Sequence, residues 1–532
     1  MSNRNGQLPR GWELRALPDI AQINPPLDRC VVSDDVEIDF VPMRAVDPEG
    51  GGLSRPEVST YGRVKKGYTP FLAGDVITAK ITPCMENGKT CVVPRLAGVA
   101  CFGSTEFHVI RAESGIDARW ISNFLLQHST RHLAQRQMMG GVGQMRVPTG
   151  FLESLKIPIP PSHEQERSLE KLDELLSDLD AGLAALERVR AKLKHYRAAV
   201  LKAAVEGTLT AEWRAHHPVI EPASVLLERI LAERRSRWEE ALVKKFKDAG
   251  KEPPKNWKAK YKEPAAADST KLPTLPSGWC WATVEQLSAP EINSITDGPF
   301  GSNLKTSHYT HTGPRVIRLQ NIKDGGFADE RAHISDERFE RLRKHSVLAG
   351  DIVIAGLGEN PPRACLIPEW VGPAIVKADC IRFKPHAAVS AKSLCFFLNS
   401  LPTRTRMKQV VHGVGRPRLN LSEIRSIILP LAPAEEQERI SSSVEDQFSV
   451  IDHLEVDLDA NLKSARALRQ SVLRHAFEGK LVPQDPNDEP ASELLKRVAA
   501  ERKMHEEHAR LVKASKKVKA KAKTPRKKAA RP

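Results

Sequence analysis

The stretch Ile157-Pro158-Ile159-Pro160-Pro161-Ser162-His163-Glu164-Gln165-Glu166-Arg167 returns 272 residues later as Leu429-Pro430-Leu431-Ala432-Pro433-Ala434-Glu435-Glu436-Gln437-Glu438-Arg439. A proline-rich stop followed by carboxylates predicts the start of a helix: proline gives up a donor that is unpaired there anyway, and negative charge favours that end of the dipole. After each stop the chain runs for about 43 residues without Pro and almost without Gly. In the first run Leu172, Leu176, Leu179, Leu183, Leu186, Leu193 and Val200 step by fours and threes and then by sevens, which is a heptad seam. The second run places Val444, Phe448, Ile451, Leu454, Leu458, Leu462, Ala465, Leu468 and Val472 on one face, more loosely. At a rise of 1.5 Å per residue each helix is ~65 Å long. Two such helices in one chain are most simply paired with each other, and antiparallel pairing would relate the halves of the chain by a pseudo-twofold axis. The alternative is that each packs along its own globular domain.

The repeat extends outward in both directions. Leu8-Pro9-Arg10-Gly11-Trp12 answers to Leu275-Pro276-Ser277-Gly278-Trp279, and Leu72-Ala73-Gly74-Asp75 to Leu348-Ala349-Gly350-Asp351. Gly141-Val142-Gly143 answers to Gly413-Val414-Gly415, Glu206-Gly207 to Glu478-Gly479, and Glu221-Pro222-Ala223-Ser224 to Glu489-Pro490-Ala491-Ser492. The offset stays between 267 and 276 residues, so one unit of about 270 residues is present twice. Residues 8–161 and 275–433 mix short β-branched runs, Gly/Pro turns and one helical stretch each, predicting an α+β protein with two mixed α/β domains separated by the long helices. The division expected is 1–162 and 273–434 for the domains and 163–212 and 435–482 for the helices. A basic insert or linker at 213–272, a C-terminal helix at 483–507 and a disordered lysine-rich tail at 508–532 complete it.

The 532 residues carry 81 Lys and Arg against 66 Asp and Glu, a net charge of +15. Eleven of those charges sit at 508–532, where there is no acid, and residues 228–263 add five. The remainder is close to neutral, with the two α/β domains at +2 and +6. A basic balance points to a polyanionic partner, nucleic acid first. No apolar run is long enough for a membrane span and no signal-peptide core opens the chain, so a cytoplasmic protein without a membrane partner is expected. The eight cysteines form no C-x-x-C pair, which fits buried free thiols and no metal site.

Comparing the copies separates frame from reader. The helices and the short motifs repeat, whereas residues 44–66 do not resemble 318–344, nor 82–101 the segment 356–377. A shared frame with divergent loops suits two unlike ligands of one class, for a DNA reader two half-sites at fixed spacing. The variable segments hold donors for phosphates and the forked side chains that read base edges. These are Arg63, Lys65, Lys66, Lys80, Asn87, Lys89, Gln144 and Arg146 in the first domain. In the second they are Ser302, Asn303, Lys305, Arg318, Gln320, Asn321, Arg363, Arg416, Arg418 and Asn420. Candidate catalytic motifs fall away. Asn360-Pro361-Pro362-Arg363 has Arg where an amino-methyltransferase loop has an aromatic residue, and Gly88-Lys89-Thr90 has Pro83 where a P-loop needs glycine. No catalytic residues are assigned.

With these motifs in hand, the chain resembles the specificity subunit of Type I restriction-modification enzymes. The L-P-x-G-W openings, D-G-P-F-G-S-N-L-K at 297–305, E-Q-E-R at 164–167 and 436–439, and the E-G-x-L exits at 206–209 and 478–481 carry the resemblance, which covers residues 8 to about 503. It implies two target-recognition domains and an antiparallel intramolecular coiled coil. It also implies a non-catalytic subunit that reads a bipartite, asymmetric sequence in double-stranded DNA and docks two methyltransferase subunits and restriction/translocase subunits. On that basis no cofactor belongs to this chain, and S-adenosylmethionine, ATP and Mg belong to the partners. The insert and the tail depart from the family frame. The alternatives are a self-sufficient DNA methyltransferase or nuclease, and a coiled-coil architectural DNA-binding protein. Removing residues 508–532 is expected to weaken DNA affinity and flatten its dependence on salt while leaving the recognised sequence unchanged, as a salt titration of binding and methylation mapping would show.

Overall fold

The computed structural model describes residues 8–26, 33–50, 52–54, 56–95, 101–141, 143–218, 221–411 and 417–522. Two continuous helices, Ser162–Glu206 and Ala434–Phe477, follow the two proline stops. Each ends at a glycine in the left-handed region, Gly207 at φ 71° and Gly479 at φ 65°, where a side chain would be strained. The chain divides into two compact units, one comprising Met1–Leu186 with Ala460–Pro532 and the other Glu187–Asp459.

Within each unit the α/β domain has the same strand order, although the intervening sequences differ. In the first, Ala21–Ile23, Phe107–Ala112, Val76–Ala79 and Thr90–Val92 form one antiparallel sheet. Glu57–Thr60, Glu37–Val41, Cys101–Gly103 and Thr69–Phe71 form another with one parallel pairing. In the second the corresponding sheets are Ile295–Asp297, Cys380–Phe383, Ile352–Ala355, Arg363–Leu366 and His333–Ile334, Tyr309–Ile317, Ala374–Val376, Ser346–Val347. The L-A-G-D motif is the turn that feeds the central strand. Asp75 Oδ2 accepts from Leu72 N at 2.8 Å, and its two oxygens accept from Arg111 Nε and Nη2 at 2.7 Å each. Asp351 makes the same links through one oxygen, Oδ2, which accepts from both Leu348 N and Arg382 Nε. In each copy the buried aspartate ties turn, strand and neighbouring strand together. The one helical stretch expected in the first domain is two helices, Ala118–Leu126 and His128–Arg136, because Gln127 is extended; in the other copy Ser400 breaks the chain and caps the next helix.

The remaining repeated motifs converge at one junction in each unit. Trp12 Nε1 donates to Glu164 Oε2 at 3.0 Å and Trp279 Nε1 to Glu436 Oε2 at 2.7 Å, both buried. Gln165 Oε1 accepts from Asp117 N and Gln437 Oε1 from Ser390 N, seating the first turn of the domain helix. The glycine of each opening presents its carbonyl to another helix start: Gly11 O accepts from Ala491 N and Gly278 O from Ala223 N, both at 2.8 Å. A Cβ on Gly479 would lie 2.5 Å from Pro9 Cγ, and one on Gly207 the same distance from Pro276 Cγ. Each opening therefore meets the end of the long helix that belongs, in sequence, to the other copy.

The long helices form an antiparallel coiled coil. In the second unit Arg190 pairs with Asp459 at 2.6 Å, and Arg197 pairs with Asp452 and Glu455. In the first, Arg469 pairs with Asp180, while Leu172 and Leu176 pack against Val472, Leu473 and Phe477. Leu193, Val200, Val444, Ile451, Leu458 and Leu462 are buried as expected, and Leu179, Leu183, Leu186 and Phe448 are half-buried. Leu468 is a correction: it is 54% exposed, as is Leu454 at 47%, because the heptad register gives the neighbouring seam positions to Arg469 and Glu455.

Two further expectations change. The 213–272 segment is not a linker. It holds the helix Ala223–Asp248, whose Ala223, Leu226 and Ile230 are fully buried in the core of the second unit. Its return packs Trp257 and Tyr261 on Trp238. Nor does helix stop at 507: Ala491–Ala522 is one helix, carried into the tail by alanine and lysine, both strong helix formers, with no proline before Pro525. Residues 523–532 lie outside the described residues.

The two buried glutamates differ in their second oxygen. Glu436 Oε1 accepts from Thr210 Oγ1 and Arg214 Nη1, whereas Glu164 Oε1 has no close hydrogen-bond partner among the described residues, and burial pushes the Glu164 carboxyl above its usual value of 4.5 although Arg167 and Gln484 lie near enough to oppose it. A carboxyl raised in the folded state stabilises the fold below its ordinary value and loses that contribution as pH rises through the raised one. Glu436→Gln is expected to cost about 3 kcal/mol by stranding Arg214. Glu164→Gln keeps an acceptor for Trp12, so it is expected to cost under about 1 kcal/mol and to flatten the fall in stability above pH 4.5. Urea unfolding of both variants across pH checks the pair.

Candidate nucleic-acid interface

In both units the central strand behind the L-A-G-D turn runs out into a loop bridged by the segment that carries the Gly-Val-Gly turn. In the first unit Ile81 bridges Arg146, Val147 N donates to Lys80 O at 2.8 Å and Thr82 N to Met145 O at 3.0 Å. The hairpin itself closes between Met139 and Arg146, with Gly140 and Gly143 at positive φ. Lys80, the 82–89 loop with Asn87 and Lys89, and the hairpin with Gln144 and Arg146 are thereby brought together. In the second unit Leu357 bridges Arg418 and Leu419 N donates to Gly356 O at 2.7 Å, which is the same arrangement. Gly298 is pressed against the Lys377 backbone with no room for a Cβ, so the D-G-P-F-G-S-N stretch lies beside it. Arg418 sits 5.5 Å from the Phe300 ring centroid, which brings Ser302 and Asn303 into its neighbourhood.

Several of the polar residues read as donors are committed to the fold. Asn321 is buried: its Nδ2 donates to Ala328 O and Glu330 O and its Oδ1 accepts from Arg318 N, closing the loop that follows Ile317. Asn420 caps the helix Leu421–Arg425 in a reciprocal pair with Glu423. Arg146 is held by both oxygens of Glu106 at 2.9 Å, which pulls the Glu106 carboxyl below its usual range, and Lys89 Nζ donates to Met43 O. Arg363 Nη2 donates to Leu319 O, and Arg418 pairs with Asp379 at 2.9 Å. Lys65 pairs with Asp34.

The rest remain available at the surface. Arg63 and Lys66 are exposed on and just after the short helix Tyr61–Val64, which follows the edge strand of the mixed sheet. Asn87, Gln144, Ser302, Asn303, Lys305 and Gln320 are exposed and Lys80 is half-exposed, whereas Arg318, also half-exposed, turns Nη2 to Glu330 O and Arg331 O. Arg416 lies outside the described residues.

A list of donors overlooks the apolar groups beside them. Met139 is 69% exposed on the first hairpin and Phe300 is 43% exposed against Arg418. Such side chains meet thymine methyls and sugar faces. Their signal in sequence is a large apolar residue next to the glycines of a tight turn.

Pro361 and Pro362 are buried, and Arg404 Nε donates to Pro362 O, so the N-P-P-R segment is scaffold. Burial pushes the Cys91 thiol up to about 12. Among the described residues no group of three or more His, Cys, Asp and Glu is placed to hold a metal, and no helix is long and apolar enough to cross a membrane.

Residues 9–188 and 346–463 match the family model of the Type I restriction modification DNA specificity domain. The chain is 29% identical over 504 residues to the Type I restriction enzyme EcoAI specificity subunit of Escherichia coli, covering 84% of this chain and 79% of that protein. It is 29% identical over 524 residues to the EcoEI specificity subunit of the same species, covering 88% and 83%. A solved chain from work on complex assembly and conformational transition of the type I R-M system shares the fold at 18% identity, with a TM-score of 0.57 over 89% of this chain and 99% of that one. Two family-matched regions and the paired helices together make this chain a member of the Type I restriction-modification specificity subunits.

Proposed function

We propose that this chain is the non-catalytic reader of a Type I complex in the cytoplasm, with one half of a bipartite, asymmetric DNA target assigned to each α/β domain. The observation that carries this reading is the repeated frame with unlike loops. The two strand orders agree, whereas the side chains at the end of the central strand are Asn87, Gln144 and Met139 in one domain and Ser302, Asn303 and Phe300 in the other. Forked side chains from these loops enter the major groove, and Arg63, Lys66, Lys80 and Lys305 meet phosphates that set register. The coiled coil keeps the half-sites at a fixed spacing. Methyl transfer and DNA cleavage belong to partner subunits, which bring S-adenosylmethionine, ATP and Mg.

Two methyltransferase subunits dock on the long helices, and restriction/translocase subunits join them. Support comes from apolar side chains that the coiled coil leaves uncovered. In the second unit these are Val450 at 61%, Leu454 at 47% and Val456 at 69% exposure, and in the first unit Leu468 at 54%. Val450 and Leu454 lie one turn apart on the same helix face, and an uncovered apolar patch of that kind marks an interaction surface.

Exchanging residues 40–150 for those of a relative with another target is expected to change one half of the methylated sequence and leave the other half and the spacing intact. Methylation mapping with the methyltransferase co-expressed reads this directly, and a change in both halves or in neither counts against the assignment. Leu454→Asp combined with Leu468→Asp is expected to leave stability within about 0.5 kcal/mol per site while sharply reducing co-purification of the methyltransferase. Methyl transfer by the purified chain alone would favour a self-sufficient enzyme instead.

A further inference from the structure

Arg131 and Arg404 occupy equivalent places in the two domains. Each donates its backbone N–H to the residue that breaks the domain helix, Gln127 O for Arg131 and Ser400 O for Arg404. Each guanidinium holds a carbonyl in the loop before the edge strand, Glu86 O at 2.8 Å from Arg131 Nη1 and Pro362 O at 3.0 Å from Arg404 Nε. Beyond that they part. Arg404 is neutralised by Asp324, with Nη2 to Oδ1 at 2.6 Å and Nη1 to Oδ2 at 3.1 Å, and also reaches Asn399 Oδ1.

Arg131 is 9% exposed, makes no ion pair among the described residues, and leaves both Nε and Nη2 buried without a partner. It lines a cavity of about 30 Å³ together with Thr78, Thr90, Thr130 and His108, otherwise walled by Met85, Leu125 and other apolar groups. Thr78 and Thr90 hydroxyls lie 2.6 Å apart, so one donates to the other and one proton is left over. His108 lies 2.9 Å through Nε2 from Val147 O and its Nδ1 faces the Asn24 Nδ2 donor at 3.3 Å, an arrangement that suits the neutral ring with its proton on Nε2, and burial lowers the imidazole pKa from its usual value. Every polar group available to the cavity is thus a donor or neutral, beside a cation that cannot lose its proton.

A guanidinium taken out of water costs several kcal/mol unless a negative charge compensates it. The charge of Glu49 acts on Arg131, yet the two form no ion pair. We propose that the first domain binds a small monovalent anion of the halide class in this cavity, against Arg131 Nε and Nη2, where it does for Arg131 what the Asp324 carboxylate does for Arg404. Water would fit the space and satisfy the hydrogen bonds but not the charge. Because Arg131 also holds Glu86 O, the anion braces the 82–89 loop on which Asn87 stands.

The test uses the full chain. Crystals grown in sodium bromide are expected to show an anomalous peak within hydrogen-bonding distance of Arg131. In solution, the melting temperature is expected to rise saturably by about 2–4 °C in chloride over glutamate at equal ionic strength. Arg131→Gln should abolish the halide increment and Arg404→Gln should retain it. If Arg131→Gln does not fold, the bromide peak in the unaltered chain still decides. A site holding water only, or the Glu49 carboxylate turned inward with no bromide peak, overturns the proposal.

Discussion

An indole N–H donated to a buried carboxylate is the interaction on which the rest of each unit depends. Trp12 reaches Glu164 and Trp279 reaches Glu436, and around that bond the opening strand, the start of one long helix, the end of the other and a further helix are packed together. Trp12 also meets Trp120 edge-on at 5.9 Å, and Trp120 meets Phe477 at 4.4 Å, so the polar bond is sealed in an aromatic cluster. A buried carboxylate without a donor would be costly, which makes tryptophan at this place a requirement of the fold and not a preference. That explains why the repeated motifs repeat: L-P-x-G-W, E-Q-E-R, E-G-x-L and E-P-A-S are the pieces of one joint.

The coiled coil is specified by polar as much as by apolar seam positions. Arg469 is 6% exposed and matched by Asp180, and Glu455 is met by Arg197. Ion pairs in a seam contribute little net stability, but a shift of one helix against the other would strand them, so they hold the register. Giving these places to charge also leaves Leu454 and Leu468 facing outward, which an intramolecular pair has no use for.

The frame of each α/β domain was legible where the chemistry is local. Gly74 and Gly350 at positive φ followed by an aspartate that caps its own turn is a signal carried by four residues. The partner arginines were not legible: Arg111 and Arg382 lie far along the chain from Asp75 and Asp351, and only the fold brings them to the turn, as it brings Arg234 and Arg502 of two later helices to backbone carbonyls of their unit's domain. The candidate interface was less legible. Asn321, Asn420 and Lys89 have the composition of base readers, and only their neighbours show them to be a loop clasp, a helix cap and a carbonyl ligand. An amide or ammonium bonds equally well to a base edge and to a backbone carbonyl, so residue type alone cannot separate the two uses.

Heptad spacing, helix stops, turn glycines and the duplication are properties of short windows and of the chain compared with itself, and the sequence by itself determined the two long helices, the two α/β domains and the family. The tertiary structure decided which pieces belong together. Read along the chain, each repeat is a domain followed by its helix. Folded, each unit takes its domain, the start of its own helix, the end of the other repeat's helix and the helix beyond that, so Pro9 packs on Gly479 and Pro276 on Gly207. The physical reason is that antiparallel pairing brings the start of one helix beside the end of the other, and a joint built across such a distance in sequence leaves no periodicity from which it could be read.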